Sequence, residues 1–360
     1  MLNELFNTAP YALARAEKEK TLTALLTRLT AHHYEKCREY RAMLDGYGFS
    51  PRRPVDSYYD LPFLPVRLFK ELTLSSVGAD EVFKTLTSSG TTGQAVSKIC
   101  LDRITAANQQ KALVKIISSF LGSARLPLII IDCPSVLKNR HSFSARGAGV
   151  LGFSIFGAER IYALDDDMNL RVDALADFLR RHAGERILLF GFTFLIWRHF
   201  YAALQESALS LDLTDGIMIH GGGWKKLSDQ RVSPAVFKAG LQAVCGLERV
   251  HDYYGMAEQT GCVYVECEKG YLHASVFSDI IMRRPSDLKV CAFGEKGVAE
   301  VVSVLPHSYC GHALLTEDEG VIVGEDDCAC GRKGKYFTLT GRIKAAELRG
   351  CGDTYAANFS

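Results

Sequence analysis

Three apolar runs, each stopping at glycine or proline, constrain this chain more than any other feature. They are LPLIIIDCP (Leu126–Pro134), ERILLFGF (Glu185–Phe192) and GIMIHGGG (Gly216–Gly223). Each has strand length and is nearly continuous in apolar residues, the pattern of a strand covered on both faces. Helical periodicity fills the gaps, at Leu170–His182 and Phe194–Glu206, and precedes the first run at Thr105–Leu121. Buried strands alternating with helices predict an α/β region with a largely parallel sheet, because parallel strands need a crossover to reconnect. Upstream, about Tyr11 to Leu44 reads as helix, with Leu22, Leu25, Leu26 and Leu29 at 3–4 spacing, and Pro51–Pro65 reads as an extended loop. After about Leu272 the strands become shorter and more polar (SDIIMRRP, VAEVVSVL, HALLTEDEGVIV, YFTLTGR), which predicts an antiparallel or barrel-like β region.

Composition removes several function classes. Lys+Arg 42 against Asp+Glu 41 leaves a net charge of +1, so no global basic field argues for nucleic acid or an anionic membrane as partner. No stretch approaches the roughly 18 apolar residues of a membrane span. Eleven cysteines, odd in number and irregularly spaced, do not make a disulfide scaffold. The start, MLNELFNTAPYALARAEKEK, is charged and lacks the apolar stretch of a secretory leader. Together these predict a reduced, cytoplasmic protein.

Four segments carry residues with chemistry. In TSSGTTGQ (Thr87–Gln94), consecutive hydroxyls with Gly90 and Gly93 offer small donors and a backbone free to approach a polyphosphate; Lys98 lies just beyond. HDYYGMAEQTG (His251–Gly261) places an aromatic-glycine segment before Glu258, a carboxylate able to hold Mg²⁺. HALLTEDEG carries Asp318, able to accept both hydroxyls of a ribose, and TGRIKAAELRG carries Arg342. Separately, Cys267 and His273 form C-x5-H and Cys328 and Cys330 form C-x-C; two short clusters of soft ligands, with Gly270 and Gly331 for tight turns, suit a closed tetrahedral Zn²⁺ site. Cys37, Cys100, Cys133, Cys245, Cys262, Cys291 and Cys310 read as core packing, and His220 and His251 as structural histidines.

The order TSSGTTG, YGMAE, TED, GR resembles the adenylate-forming superfamily. Finer features, LPFLPVRLFK, LLFGFTF, HGGGWKKL and CGRKGKYF with ELRGCGD, resemble the acyl-protein synthetase family known from bacterial bioluminescence and, next, the phenylacetate–CoA ligases. The resemblance implies the N-terminal α/β domain of an adenylate-forming enzyme, with parallel-rich sheets and a small β region. It implies that Ser88, Ser89, Gly90, Thr91, Thr92 and Gly93 hold the phosphates of ATP, with Lys98 near them. Gly221, Gly222 and Gly223 border the adenine and acyl pocket. Tyr254, Gly255 and Glu258 match Y-G-x-x-E, with Glu258 on Mg²⁺; Asp318 matches the ribose aspartate, although Glu317 replaces the usual glycine, and Arg342 matches the hinge arginine. Only 18 residues follow Arg342, so the mobile C-terminal lid of most relatives is expected to be absent. The expected organisation is a helical segment over 1–60, the α/β adenylation core over 61–272, a β-rich subdomain over 273–342 and a tail over 343–360.

Acyl-protein synthetases carry an acyl-accepting cysteine near the C-terminus, where Cys351 stands here between Gly350 and Gly352. The implied activity is ATP-dependent conversion of a carboxylic acid, most simply a fatty acid, to acyl-AMP, followed by transfer to Cys351 and on to a partner such as an acyl reductase or carrier protein. Some phenylacetate–CoA ligase relatives bind a structural zinc with spacing like that of Cys267, His273, Cys328 and Cys330. Two alternatives stand beside this reading: an acyl- or aryl-CoA ligase using free CoA, and a non-catalytic nucleotide-binding scaffold.

Overall fold

The chain opens with helices. In the computed structural model, which describes residues 2–51, 54–87, 96–137, 145–207, 211–224 and 231–343, α1 spans Leu2–Asn7, α2 Arg15–Lys36 and α3 Arg38–Gly46. The predicted stripe in α2 is real: Leu22, Leu26 and Leu29 are buried, and Lys18, Thr30 and His33 are buried among the same helix's residues. Cys37 breaks the helix with an extended backbone, φ −110° and ψ 112°, and leads into α3. A short strand β1 (Leu64–Pro65), helix α4 (Leu68–Glu71), an antiparallel pair β2 (Lys84–Thr87) and β3 (Lys98–Leu101), and the long helix α5 (Arg103–Leu121) follow.

The fold divides into two compact units, one made of Ile117–Gly255 and the other of the chain on either side of it. In the Ile117–Gly255 unit the three apolar runs become strands, as predicted. Its order is β4 (Leu126–Ile131), α6 (Ala145–Phe153), β5 (Gly157–Tyr162), α7 (Val172–Arg181), β6 (Leu188–Phe192), α8 (Thr193–Leu195), a π-helical stretch Ile196–Tyr201, α9 (Ala202–Glu206), β7 (Ile217–Gly221), α10 (Pro234–Cys245) and β8 (Arg249–Tyr254). All pairings in this sheet are parallel, in the order β5-β4-β6-β7-β8. Helix side chains such as Phe178, Phe200, Phe237 and Leu241 bury against Ile129, Leu189 and Met218 of the strands. The ends of α10 follow local rules: the Ser233 hydroxyl accepts from the Val236 amide, Pro234 opens the helix, and Gly246 closes it in the left-handed region at φ 72°. Because the sheet grows in opposite directions from β4, the crossover connections diverge between β4 and β6, and a crevice is expected at the carboxyl ends of those strands.

The flanking unit holds β9 (Tyr264–Glu266), β10 (Leu272–His273), β11 (Ser278–Arg283), β12 (Lys296–Ser303), β13 (Ala313–Glu325) and β14 (Lys335–Arg342). They pair antiparallel in the order β11-β12-β13-β14-β10-β9, and β1 adds in parallel to β13. The antiparallel pairing is as predicted, and every residue of β11 is buried despite the strand's polar residues. The reason is a charge network beneath the N-terminal helices. Asp279 of β11 meets Lys18 of α2 at 3.5 Å and Lys335 of β14 at 3.1 Å, and accepts from the Tyr58 hydroxyl. Arg283 pairs with Glu300 of β12 and donates to the Tyr59 carbonyl (2.8 Å). Among the described residues no helix is long and apolar enough to cross a membrane. Of the cysteines read as core, Cys37, Cys133, Cys245, Cys262, Cys291 and Cys310 are buried and Cys100 is half-buried.

Candidate functional site

The expected phosphate loop connects two antiparallel strands, since Thr87 of β2 pairs with Lys98 of β3. Ser88, Ser89, Gly90, Thr91, Thr92 and Gly93 lie outside the described residues, as does Cys351. Lys98 is exposed at the start of β3.

In the Ile117–Gly255 unit, the remaining motif residues collect at the carboxyl ends of parallel strands. Gly221 ends β7, Gly222 and Gly223 follow it, Tyr254 ends β8 and Gly255 follows. This is where an open parallel sheet places ligands. Gly222 is required twice over: its φ is +81°, and a Cβ there would stand 2.6 Å from the Phe192 ring. Beside it the Thr193 hydroxyl donates to the Gly221 carbonyl (3.2 Å), and His220 Nδ1 lies 3.0 Å from Thr193 Oγ1 and 3.6 Å from Asp252 Oδ1. Burial, helped by the Lys238 charge, pushes His220 down to about 3, so it is a neutral imidazole. An aromatic group, Trp197, Tyr201, Trp224 and Phe237, packs around the same end, with Trp197 stacked on Tyr201 at 4.2 Å and edge-on to Trp224 at 5.7 Å. The π-helical stretch that carries Trp197 and Tyr201 has no signature in the sequence beyond helical periodicity. Such stretches recur at functional sites.

In the flanking unit, Glu258 sits on a single 3₁₀ turn, Ala257–Gln259, and is 7% exposed. Its neighbour holds the turn: Gln259 Nε2 donates to the carbonyls of Val301 (3.0 Å) and Gly311 (2.8 Å). Gly261 lets the turn lie on α5, because a Cβ there would be 2.5 Å from the Gln109 carbonyl oxygen. Gln109 in turn donates to the buried Tyr309 hydroxyl (3.0 Å). The E-Q-T-G half of the motif is thus a mounting for Glu258, a role that motif matching did not assign to Gln259 or Gly261. Asp318 and Arg342 are directly opposed in the β13–β14 register, with Arg342 Nε 3.5 Å from Asp318 Oδ1. Asp318 is partly buried and Arg342 extends into solvent. The pairing brings together two residues that the sequence placed 24 positions apart.

The two cysteine clusters do converge. Donor atoms of Cys267, His273, Cys328 and Cys330 all lie within 4.8 Å of one another. Cys267 Sγ and Cys328 Sγ are 4.0 Å apart, and Cys330 Sγ is 3.4 Å from His273 Nε2. The edges of a Cys₃His zinc tetrahedron are about 3.8 Å for S···S and about 3.5 Å for S···N, given Zn–S near 2.3 Å and Zn–N near 2.0–2.1 Å. His273 Nδ1 is buried with no hydrogen-bond partner among the described residues. Burial pushes the Cys267 and Cys328 thiols up, and burial with the Arg332 charge pushes His273 down to about 4. Cys267, His273 and Cys328 are buried and Cys330 is half-buried, and this set of three sulfur donors and one imidazole fits zinc. Turns place the ligands: Gly270 donates to the Cys267 carbonyl and Gly331 to the Cys328 carbonyl, both at 2.9 Å.

A family model described as acyl-protein synthetase, LuxE, matches residues 2–360. The long-chain-fatty-acid–luciferin-component ligase of Vibrio harveyi is 24% identical over 373 residues, spanning 99% of this chain and 93% of that protein. The protein of the same name from Aliivibrio fischeri is 21% identical over 328 residues, spanning 88% and 83%. Among solved structures, an open conformation of 2-hydroxyisobutyryl-CoA ligase in complex with 2-HIB-AMP and CoA superposes with a TM-score of 0.69 at 16% identity, covering 92% of this chain and 71% of that one. The fold is that of adenylate-forming ligases.

Proposed function

The chain belongs to the acyl-protein synthetase (LuxE) family, adenylate-forming acid–thiol ligases that activate acyl groups, and from that premise we propose that it converts a long-chain fatty acid to acyl-AMP and passes the acyl group through Cys351 to a partner. The observation that carries this reading is the family match along residues 2–360. The fatty acid comes from the names of the relatives.

In the first step a carboxylate oxygen attacks the α-phosphorus of ATP and pyrophosphate leaves. The chain's task is positioning and charge neutralisation rather than covalent chemistry. Residues 88–93 and Lys98 hold the phosphates, Asp318 accepts the ribose hydroxyls, and Arg342, exposed at the end of β14, reaches the nucleotide. Gly221–Gly223 keep the strand end low enough for a flat base to approach. Glu258 would hold Mg²⁺, which would supply neutralisation of the developing phosphate charge. In the second step the Cys351 sulfur attacks the acyl carbonyl, its proton goes to solvent, and AMP leaves with the electron pair. A fatty acyl reductase or a carrier protein then takes the acyl group.

Cys267, His273, Cys328 and Cys330 would hold a structural Zn²⁺, which would fasten the β13–β14 connection to β10 and, with four protein ligands, would leave no open position for chemistry. We place it in a reduced, cytoplasmic setting, as the number and spacing of its eleven cysteines predict.

ATP–pyrophosphate exchange across a series of carboxylic acids tests the first step, with strongest exchange expected for long chains. No exchange with any acid would sink it in favour of a nucleotide-binding scaffold. Labelled fatty acid should remain on the wild-type chain and not on Cys351→Ser, with exchange intact in both. Undiminished acyl-CoA formation by Cys351→Ser would instead identify a CoA ligase.

A further inference from the structure

We infer that the N-terminal arm, Ala9–Lys18, is the outer wall of the Cys/His centre, and that the bound cation is what keeps this arm closed on the β-rich unit. This rests on the zinc reading above and concerns residues that are not ligands.

The arm's polar contacts converge on the two segments that carry ligands. The Pro10 carbonyl accepts from the Val276 amide (2.8 Å), and the Tyr11 carbonyl accepts from the Lys333 amide (3.0 Å). The Arg15 amide donates to Asp326 Oδ2 (2.8 Å), while the other oxygen of the same carboxylate accepts from the Gly334 amide (2.8 Å). Tyr11 stands edge-on to the His273 ring, centroids 6.0 Å apart at 80°, and Tyr336 stacks on that ring at 5.7 Å. The Arg332 guanidinium lies over Tyr11 at 5.7 Å. His273 is thereby held between an arm residue and a strand residue.

The platform under the arm has little structure of its own. β13 ends at Glu325 and β14 begins at Lys335, so Asp326–Gly334, which includes Cys328 and Cys330, is a connection without a strand ladder. Ligation at two of its nine positions would cost the connection its alternatives, and short segments of this kind are ordered chiefly by such staples. Without the cation, Asp326, Arg332 and Lys333 lose their fixed placement, and the arm loses these three partners together. The coupling should stop at Lys18. Its ammonium is held by Asp279 at 3.5 Å as well as by the Ala274 carbonyl at 3.1 Å, and Asp279 belongs to β11, outside the metal-bearing segments.

The test is hydrogen–deuterium exchange by mass spectrometry on the full chain, as purified and after chelation, with zinc content measured on both samples. Amides of residues 9–17 should exchange at least tenfold faster after chelation, while those from Leu22 onward in α2 stay protected. Zinc added back should restore protection. Tyr11→Leu should keep its zinc while the zinc-dependent change in the arm shrinks severalfold. Stoichiometric zinc whose removal leaves residues 9–17 unchanged would overturn this inference and leave the metal reading standing. A chain that takes up no zinc would overturn both.

Discussion

At the residue scale, the candidate catalytic groups are small in number and differ in how the fold treats them. Glu258 is nearly covered and its turn is bolted by Gln259, so a substitution there tests chemistry more than folding. Glu258→Gln is expected to lower fatty-acid-dependent pyrophosphate exchange by about 10²-fold or more, in line with losing one charge-stabilising group in a preorganised site, with an unchanged far-UV spectrum as the control. Asp318 and Arg342 are the opposite case. Arg342 is 78% exposed, so the pair contributes little to stability, within about 1 kcal/mol. Asp318→Ala should therefore raise the KM for ATP at least tenfold while the urea midpoint stays put; a large loss of stability would argue for a structural role. Gly261 reverses that pattern. Alanine there combines φ +89° with overlap on the Gln109 backbone, and should cost about 2–4 kcal/mol in urea unfolding.

At the scale of elements, α2 carries three buried polar side chains, Lys18, Thr30 and His33. Lys18 lies four residues before Leu22 on the apolar stripe, a placement that marks it as a lysine with an internal partner, and the partner is Asp279. Burial raises the Asp279 carboxyl, but the Lys18 and Lys335 charges outweigh it and the net shift is downward. Its contribution is therefore complete above the ordinary aspartate range near 3.9 and is lost as pH falls below it. Asp279→Asn leaves two buried ammonium groups facing an amide and should cost about 3–5 kcal/mol at pH 7, read from guanidinium unfolding. Further along α2, His33 stacks on His312 with centroids 4.8 Å apart, and His32 stacks on His307 at 4.0 Å. Burial, with the neighbouring His312 charge, holds His33 well below its usual value, and burial, with the His32 charge, holds His312 at about 3. The unfolded chain binds protons that the folded chain refuses, so stability should fall progressively as pH drops below about 6.5. The double variant His33→Gln, His312→Gln should show a visibly flatter decline between pH 7 and pH 4.5 in the same unfolding measurement; a parallel decline would remove these rings as the cause.

At the scale of the whole molecule, both tryptophans, Trp197 and Trp224, belong to the Ile117–Gly255 unit, while Cys267, His273, Cys328 and Cys330, the proposed zinc donors, belong to the other. Chelation at 25 °C should leave the tryptophan emission maximum unchanged while lowering the melting temperature followed by circular dichroism. A shifted emission maximum would mean that the effect of metal loss reaches the parallel sheet. Much of this organisation was readable in advance. Apolar runs ending at Gly or Pro marked β4, β6 and β7, a helical stripe marked α2, polar alternating strands marked the antiparallel region, and paired soft ligands marked the Cys/His centre. In each case the information is local: periodicity, turn residues and ligand type act over a few residues. Partnership was not readable in the same way. Nothing local says that Asp279 faces Lys18, that Gly261 lies against Gln109, or that Tyr11 stands beside His273, since burial on one face specifies that a neighbour exists and not which one. Which segments become strands and helices, and which side chains are able to do phosphate, ribose and thiolate chemistry, is written locally in the chain. How C-x5-H meets C-x-C and how Asp318 comes to oppose Arg342 emerges from the folded arrangement alone, because contacts between residues far apart in sequence are set by the packing of whole elements against one another.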